Sequence, residues 1–218
     1  MDAIVAWIVS LTLRDYVTAV PGLIGFGLSV FTLWAAQFRR GNLQMTHPTL
    51  ICFKFDWPRR RPKIFLRSLL FSTASRGRVI EAMLLKVHGP VGVMTFDYWG
   101  HTEAGKLTLG SGLFVGQTGV ASDHHFNPHM GVQQFEFWQG EYKIDVFAKI
   151  VGMEERRKLA SLSVVLSGDA AAEINQFEEA AIYFWWDGEA LKYDPQIERG
   201  GEPGTWPRQK TRTVKIQE

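Results

Sequence analysis

Cysteine is almost absent from this chain of 218 residues, in which Cys52 is the only one. A single cysteine excludes an intrachain disulfide, and nothing else in the sequence points to an oxidising compartment. An excess of charge of one sign is also missing, because the formal net charge is +2. Nucleic-acid binding normally requires a basic stripe that matches the phosphates, so we expect no nucleic-acid partner.

Charge is missing altogether from one long stretch, Tyr16 to Phe38, which runs for 23 residues before Arg39 and Arg40. As a helix it covers about 35 Å, which exceeds a hydrocarbon core of about 30 Å. We therefore predict a transmembrane helix over about residues 16–38, within an anchor of residues 1–40. The alternatives are a buried core helix and a cleaved signal peptide. The signal peptide fits poorly because the first thirteen residues contain no lysine or arginine.

The flanks of this stretch predict its orientation. Arg14 is the only basic residue before it, whereas several follow it: Arg39, Arg40, Arg59, Arg60, Arg61 and Lys63. The positive-inside rule then places the rest of the chain in the cytoplasm, with a single pass through the inner membrane. The lipid bilayer is the first expected partner.

Small residues on the predicted span suggest a second kind of contact. Gly22, Gly25 and Ser29 fall near one helical face, where another helix could approach closely. The GxxxG spacing itself is absent. We treat these three residues as a candidate helix–helix contact in a homo-oligomer.

After a linker at residues 41–48, the pattern changes to the alternation that is typical of half-buried strands. Many short strands, separated by glycine and proline turns, predict an antiparallel β-sandwich or barrel over residues 49–194. The predicted strands are Thr49–Trp57, Lys63–Ser72, Arg78–His88, Val91–Trp99, Lys106–Leu109, Leu113–Val115, Gln133–Trp138, Tyr142–Val151 and Lys158–Leu166.

One helix and one hairpin complete the predicted domain. The helix lies near residues 169–181, with Asp169 as its predicted N-cap. The hairpin has Asp187 and Gly188 as a two-residue turn. Residues 195–218 are rich in glycine, proline and charge, which predicts a disordered tail.

One run resembles a known family. In FEFWQGEYKIDVFA, the residues Phe135, Phe137, Gly140, Tyr142, Ile144, Val146 and Ala148 resemble the late strand and preceding corner of immunoglobulin-like sandwiches, where a tyrosine marks the turn into a core strand. The whole layout is similar to uncharacterised bacterial proteins with one N-terminal span and such a domain. The chain has no cysteine pair, so membership of the antibody type is not implied. The resemblance implies a fold and a membrane location, and it implies no activity.

The segment SDHHFNPH groups residue types that bind zinc or another divalent ion: Asp123, His124, His125 and His129. Pro128 lies between the last two histidines, so a helical pair is disfavoured and a metal site here would lie in a loop. His101 is a further ligand if the fold brings it near. The other interpretation is a polar connection without metal.

The basic run WPRRRPK is the sharpest surface feature, with Arg59, Arg60, Arg61 and Lys63. Close to the membrane it would contact anionic headgroups. At the far end of a strand that stands off the membrane, it would contact an acidic protein partner instead. A solvated turn that keeps an edge strand from aggregating is the third interpretation.

Strong catalytic motifs do not occur. Ser111 and Ser167 lie outside a nucleophile elbow, and the glycines around residue 112 have neither a Walker lysine nor a following helix. We name no catalytic residue and no resident cofactor. The sequence favours a membrane-anchored, non-enzymatic binding or sensing module with a protein partner or ligand. The alternative is a membrane-tethered enzyme that uses a divalent metal at the histidine segment.

Overall fold

The computed structural model describes residues 13–38, 41–73, 76–103, 106–110, 112–129 and 135–199. In the N-terminal helix, side chains are described for residues 20–34. Helix α1 spans Leu13–Phe38 and contains Pro21. In the described part of the chain, no helix combines the length and the apolarity that a membrane crossing requires.

Beyond α1 the described chain is almost entirely β-structure. The strands are β1 Leu43–Met45, β2 Leu50–Asp56, β3 Arg61–Ser72, β4 Arg78–Gly89, β5 Gly92–Phe96, β6 Tyr98–Glu103 and β7 Lys106–Leu109. The chain continues with β8 Leu113–Val115, β9 Val120–Asn127, β10 Gly140–Ile150, β11 Arg157–Leu166, helix α2 Gly168–Gln176, β12 Ala180–Asp187 and β13 Lys192–Arg199.

These strands form two antiparallel sheets. The large sheet has eight strands in the order β13-β12-β2-β3-β9-β6-β7, with β1 beside β3. The small sheet has five strands in the order β11-β10-β4-β5, with β8 beside β4. The prediction of a mainly β, antiparallel domain is confirmed, and the buried side chains of both sheets form one core.

Aromatic packing joins the two sheets at the centre of this core. Phe53 of β2 is fully buried, and its ring lies 5.2 Å from that of Phe184 in β12 and 5.5 Å from that of Tyr142 in β10. The Phe137 ring, which precedes β10, lies 5.2 Å from Phe53. Inward residues of the large sheet therefore pack on the start of the central strand of the small sheet.

Tyr142 holds the corner before β10 through its hydroxyl group. The Tyr142 hydroxyl accepts a hydrogen bond from the backbone N–H of Trp138 at 2.8 Å and donates one to the carbonyl of Trp138 at 2.8 Å. Tyr142 itself is buried. This is the arrangement of a tyrosine corner, in which the hydroxyl bonds to backbone a few residues upstream.

Several predicted boundaries are wrong. The predicted strand Val91–Trp99 divides at Asp97, because β5 belongs to the small sheet and β6 to the large one. The predicted linker contains β1, which pairs with the end of β3. Of the predicted strand at 133–138, residues 133–134 lie outside the described residues, and residues 135–138 have no strand.

The C-terminal predictions also need correction. Helix α2 ends at Gln176, and its N-cap is Ser167, whose hydroxyl accepts from the Ala170 N–H at 3.3 Å. The hairpin turn takes four residues, 188–191, instead of two. Strand β13 continues to Arg199, so residues 195–199 belong to the large sheet, and the rest of the predicted tail lies outside the described residues.

Candidate functional site

The sandwich has two ends, which the register of β3 defines. Ser72, the last residue of β3, pairs with Leu43 of β1 just after the chain enters the domain from α1. Arg61, its first residue, pairs with Asp56 beside the turn at residues 57–60. We call these the proximal end and the distal end. The 12 residues of β3 separate them by roughly 36 Å.

Two arginines of the small sheet hold the point of entry at the proximal end. Arg78 of β4 donates two hydrogen bonds to the Gly41 carbonyl, at 3.0 Å from Nε and 2.6 Å from Nη2. Arg157 of β11 donates to the Asn42 side-chain oxygen at 2.7 Å. The backbone of Asn42 bonds to Thr73 through both its N–H and its carbonyl. The entering chain is therefore fixed to both sheets before β1 begins.

The predicted basic contact lies at the distal end, and two of its side chains bond within the fold. Arg60 donates to the Asn175 carbonyl near the end of α2 at 3.0 Å, and its guanidinium lies 5.1 Å from the Phe55 ring centroid. Lys63 forms an ion pair with Asp56 at 3.4 Å. Arg59 is exposed and Arg61 half-buried. A cation near the C-terminal carbonyls of a helix stabilises that helix, which gives Arg60 a structural role.

An apolar cleft of about 230 Å³ opens on the distal half of the sandwich, between β5 and the segment before β10. Its lining includes Ile64, Val87, Met94, Phe96, Phe137 and Tyr142. Gly89 forms part of the wall, and a Cβ there would lie 2.9 Å from Tyr142 Cε1, so any larger residue would displace the ring. Burial raises the pKa of Tyr142, which keeps the phenol neutral at physiological pH.

Residues 122–127 of the histidine segment belong to a strand, β9, so the prediction of a loop is wrong for Asp123, His124 and His125, whereas His129 lies beyond the strand. Alternation along a strand sends successive side chains to opposite faces. His124 faces the core and is fully buried, whereas Asp123 and His125 lie on the outer face of the large sheet. Asp123 forms a two-fold ion pair with Arg67, at 2.5 and 2.6 Å. His129 is 83% exposed and lies 3.8 Å from Asp97.

The four residues therefore do not converge on one point. Within the described ranges, no group of three or more His, Cys, Asp or Glu side chains is placed to hold a metal ion. The sequence could not show this separation, because four candidate ligands within eight residues have the same spacing in a loop and in a strand.

His124 takes part in a buried polar contact. His101 of β6 is the cross-strand partner of His124, and the Trp99 indole N–H donates to His124 Nδ1 at 3.4 Å. Burial, with a smaller effect of nearby His101, lowers the pKa of His124 to about 4. Burial also lowers the pKa of His125 to about 4, and its Nε2 lies 3.2 Å from the Thr102 hydroxyl. Both imidazoles are neutral at pH 7.

The predicted helix–helix face lies on α1. A Cβ added at Gly22 or Gly25 would meet no atom within 4 Å in the described structure. The Ser29 hydroxyl donates to the Gly25 carbonyl of its own helix at 2.8 Å. A contact between two copies through this face stays a prediction.

Two antiparallel sheets around one core, preceded by an apolar helix, define the described chain as a β-sandwich protein with an N-terminal helix. No family model matches the chain, and no curated protein is significantly similar to it. Among solved structures, it is similar to the CooA pilin subunit from enterotoxigenic Escherichia coli, with 8% sequence identity and a TM-score of 0.27. That match covers 55% of this chain and 99% of the pilin chain. A TM-score this low carries no argument about fold or function.

Proposed function

We propose that this protein is a membrane-tethered binding module, in which α1 inserts into the inner membrane and the sandwich works on the cytoplasmic side. The observation that carries the proposal is the exposure of α1. Every described side chain of α1, residues 20–34, is exposed, including large apolar ones such as Leu23, Phe26 and Phe31. An apolar surface of this extent in water is unfavourable, and a bilayer removes it from water.

The hydrogen bonds of the Ser29 and Thr32 hydroxyls also support a bilayer around α1. Ser29 bonds to the Gly25 carbonyl at 2.8 Å, and Thr32 bonds to the Leu28 carbonyl at 2.6 Å. Both hydroxyls are thus satisfied within the helix and need no water. Polar groups in hydrocarbon require such internal partners. The uncharged run of 23 residues in the sequence, Tyr16 to Phe38, supplies the length for a crossing, and its modest apolarity, which falls short of that of a clear span in the described residues, is what the extraction experiment below tests.

The finer fold assignment belongs to the same proposal. We infer an immunoglobulin-like sandwich from the Tyr142 corner and from the position of β10 between β11 and β4. The total of 13 described strands exceeds the seven to nine of antibody domains, so the likeness concerns the corner and the two-sheet core.

The cleft is the part of the module that we assign to binding. Ligand sites are concave and mostly apolar, with a few polar groups that orient the ligand. The cleft has this character: Met94, Phe96 and Phe137 supply apolar surface, and Trp138 lies at its rim with 53% exposure. We propose that it accepts an apolar group of a ligand or of a protein partner.

Membrane association is tested with the full chain in bacterial cells. Ile24→Arg combined with Leu28→Arg places two charges on α1, and Val93→Arg combined with Val165→Arg adds the same charge to exposed residues of the sandwich. We expect the wild type and the sandwich variant to remain in the membrane pellet after alkaline carbonate extraction. We expect the α1 variant to leave the pellet. Extraction of the wild type itself would overturn the proposal.

A further inference from the structure

We propose that the proximal end of the sandwich is a lipid-contact surface, which lies on the anionic headgroups of the same bilayer that holds α1. This inference rests on the proposed membrane function and adds to it a second, peripheral contact. The contact involves four residues, Val79, Phe114, Val151 and Met153, which we call the proximal patch.

The proximal patch is apolar, exposed and contiguous. Val79 of β4 and Phe114 of β8 are direct cross-strand partners, with 40% and 61% of their surfaces exposed. The N–H of Val151 donates to the Val79 carbonyl at 3.0 Å, and Val151 is 56% exposed. Met153 follows in the same turn, with 36% exposed. Single exposed apolar residues are ordinary, but a group of neighbours at one end of a domain is typical of a contact surface.

The Phe114 ring is held in place by close approach to the backbone. A Cβ added at Gly77 would lie 2.6 Å from Phe114 Cζ, and Gly77 has a φ of +65°. Only glycine suits position 77, because the backbone there is left-handed and the Phe114 ring occupies the place of a Cβ atom. The aromatic side chain is presented outward from a fixed position.

Charge around the patch fits anionic headgroups. In the two segments beside the patch, residues 76–82 and 149–157, the basic residues are Arg76, Arg78, Lys149, Arg156 and Arg157, and the acidic ones are Glu81, Glu154 and Glu155. The Lys149 ammonium donates to the carbonyls of Met153 and Glu154, at 2.6 Å each, and shapes the turn that carries the patch. Basic residues that outnumber acidic ones beside exposed apolar side chains favour an interfacial contact with anionic lipid.

Chain connectivity brings this surface to the membrane. Only residues 39 and 40 separate Phe38, the end of α1, from Gly41, which Arg78 holds at the proximal end. That link spans about 11 Å at full extension. The distal end, roughly 36 Å further along β3, lies beyond a Debye length of about 8 Å. The proximal end, and not the distal basic run, is therefore the part of the sandwich within reach of headgroups.

A fluorescence experiment on the full chain tests the contact. Cys52 is buried and unreactive, so a cysteine introduced by Phe114→Cys or, as a matched control at the distal end, by Val91→Cys accepts a single environment-sensitive dye. Each labelled protein is reconstituted into nanodiscs of phosphatidylcholine with one-quarter phosphatidylglycerol, and the bilayer contains a headgroup-attached quencher. We expect at least two-fold stronger quenching at position 114 than at position 91.

The outcomes separate this inference from the proposed function. Failure of the protein to enter nanodiscs overturns both. Incorporation with equal quenching at positions 114 and 91 overturns the lipid contact alone and leaves the tether intact.

Charge reversal at two proximal arginines tests whether electrostatic attraction to anionic headgroups contributes to the contact. Arg76→Glu with Arg156→Glu, in the Phe114→Cys background, should reduce the quenching at least two-fold, as should nanodiscs of phosphatidylcholine alone. The matched control reverses two distal charges, Arg59→Glu and Arg61→Glu. Equal effects of the two reversals would exclude an electrostatic contribution from the proximal end.

Discussion

Arg78 and Gly41 are joined by two hydrogen bonds, from the guanidinium Nε and Nη2 to a single carbonyl oxygen, at 3.0 and 2.6 Å. They link the first residue of the domain to the small sheet, although the chain enters the large sheet next. The point at which the chain enters the sandwich is therefore fixed by two hydrogen bonds that cross between the sheets.

Removal of this link should loosen the entry point. Arg78→Ala deletes two charge-assisted hydrogen bonds, and we expect the free energy of unfolding to fall by about 1 to 3 kcal/mol. Denaturation of the full chain in detergent measures this, with Lys86→Ala on the same strand as a control at an exposed position. Hydrogen exchange at Asn42 should also accelerate in the arginine variant only. Equal stability of the two variants would contradict the role of Arg78.

The Tyr142 hydroxyl should contribute to stability through Trp138. Tyr142→Phe keeps the ring in the core and leaves the N–H and carbonyl of Trp138 without this partner. We expect a loss of about 1 to 3 kcal/mol in the free energy of unfolding. Tyr98→Phe, at a half-exposed tyrosine, is the control and should change stability by less than about 0.5 kcal/mol. If Tyr98→Phe lowered the free energy of unfolding by the same amount, the stabilising role of the Tyr142 hydrogen bonds would be contradicted.

Stability should fall as the pH is lowered from about 6.5 to about 4, because His124 is buried in its neutral form. Its pKa is about 4 in the folded protein and about 6.5 in the unfolded chain, so the unfolded state binds more protons between these values. We expect His124 to account for a loss of about 2 kcal/mol between pH 7 and pH 5.

Denaturation at both pH values measures this loss. His124→Gln should remove about that part of the pH dependence, whereas His129→Gln, at an exposed residue, should keep the wild-type slope. His101, Asp123 and His125 lie around His124 and are unchanged in both variants. Identical slopes in all three proteins would contradict the assignment to His124.

Labelling with a polar maleimide should show on which side of the membrane the sandwich lies. Burial raises the pKa of the Cys52 thiol and hides it from solvent, so the native protein should not react with a polar maleimide. Val91→Cys adds an exposed thiol at the distal end. We expect labelling of this variant only after the inner membrane is permeabilised. Labelling in intact spheroplasts would place the domain outside the cytoplasm.

The sequence patterns succeeded where one strand carries its own signal. The alternation in β10, from Tyr142 to Ile150, is complete, and the strand lies where the pattern predicts it. The pattern does not predict β9, because its inward residues are Ser122, His124 and Phe126, and two of these three are polar. Hydrophobic alternation cannot identify a strand whose buried face is polar, since the signal depends on apolar side chains.

The entry point at the proximal end and the apolar cleft are both formed by residues that are distant in sequence. Arg78 and Gly41 are 37 residues apart, and Arg157 and Asn42 are 115 apart. The cleft likewise joins β5 to the segment before β10. None of these pairs has a local motif, because their proximity is a product of the order of strands in the two sheets.

The sequence by itself determined the uncharged N-terminal stretch, the antiparallel β character and the tyrosine at the corner of β10, since each follows from local composition or period. Only the tertiary structure decided that His124 and His125 lie on opposite faces of one strand, that the basic run lies at the distal end, and that an apolar patch lies near the point where the chain enters the sandwich. The physical reason is that a strand's local pattern fixes which side chains share a face, whereas the neighbours of that face are set by how the sheets pair and stack.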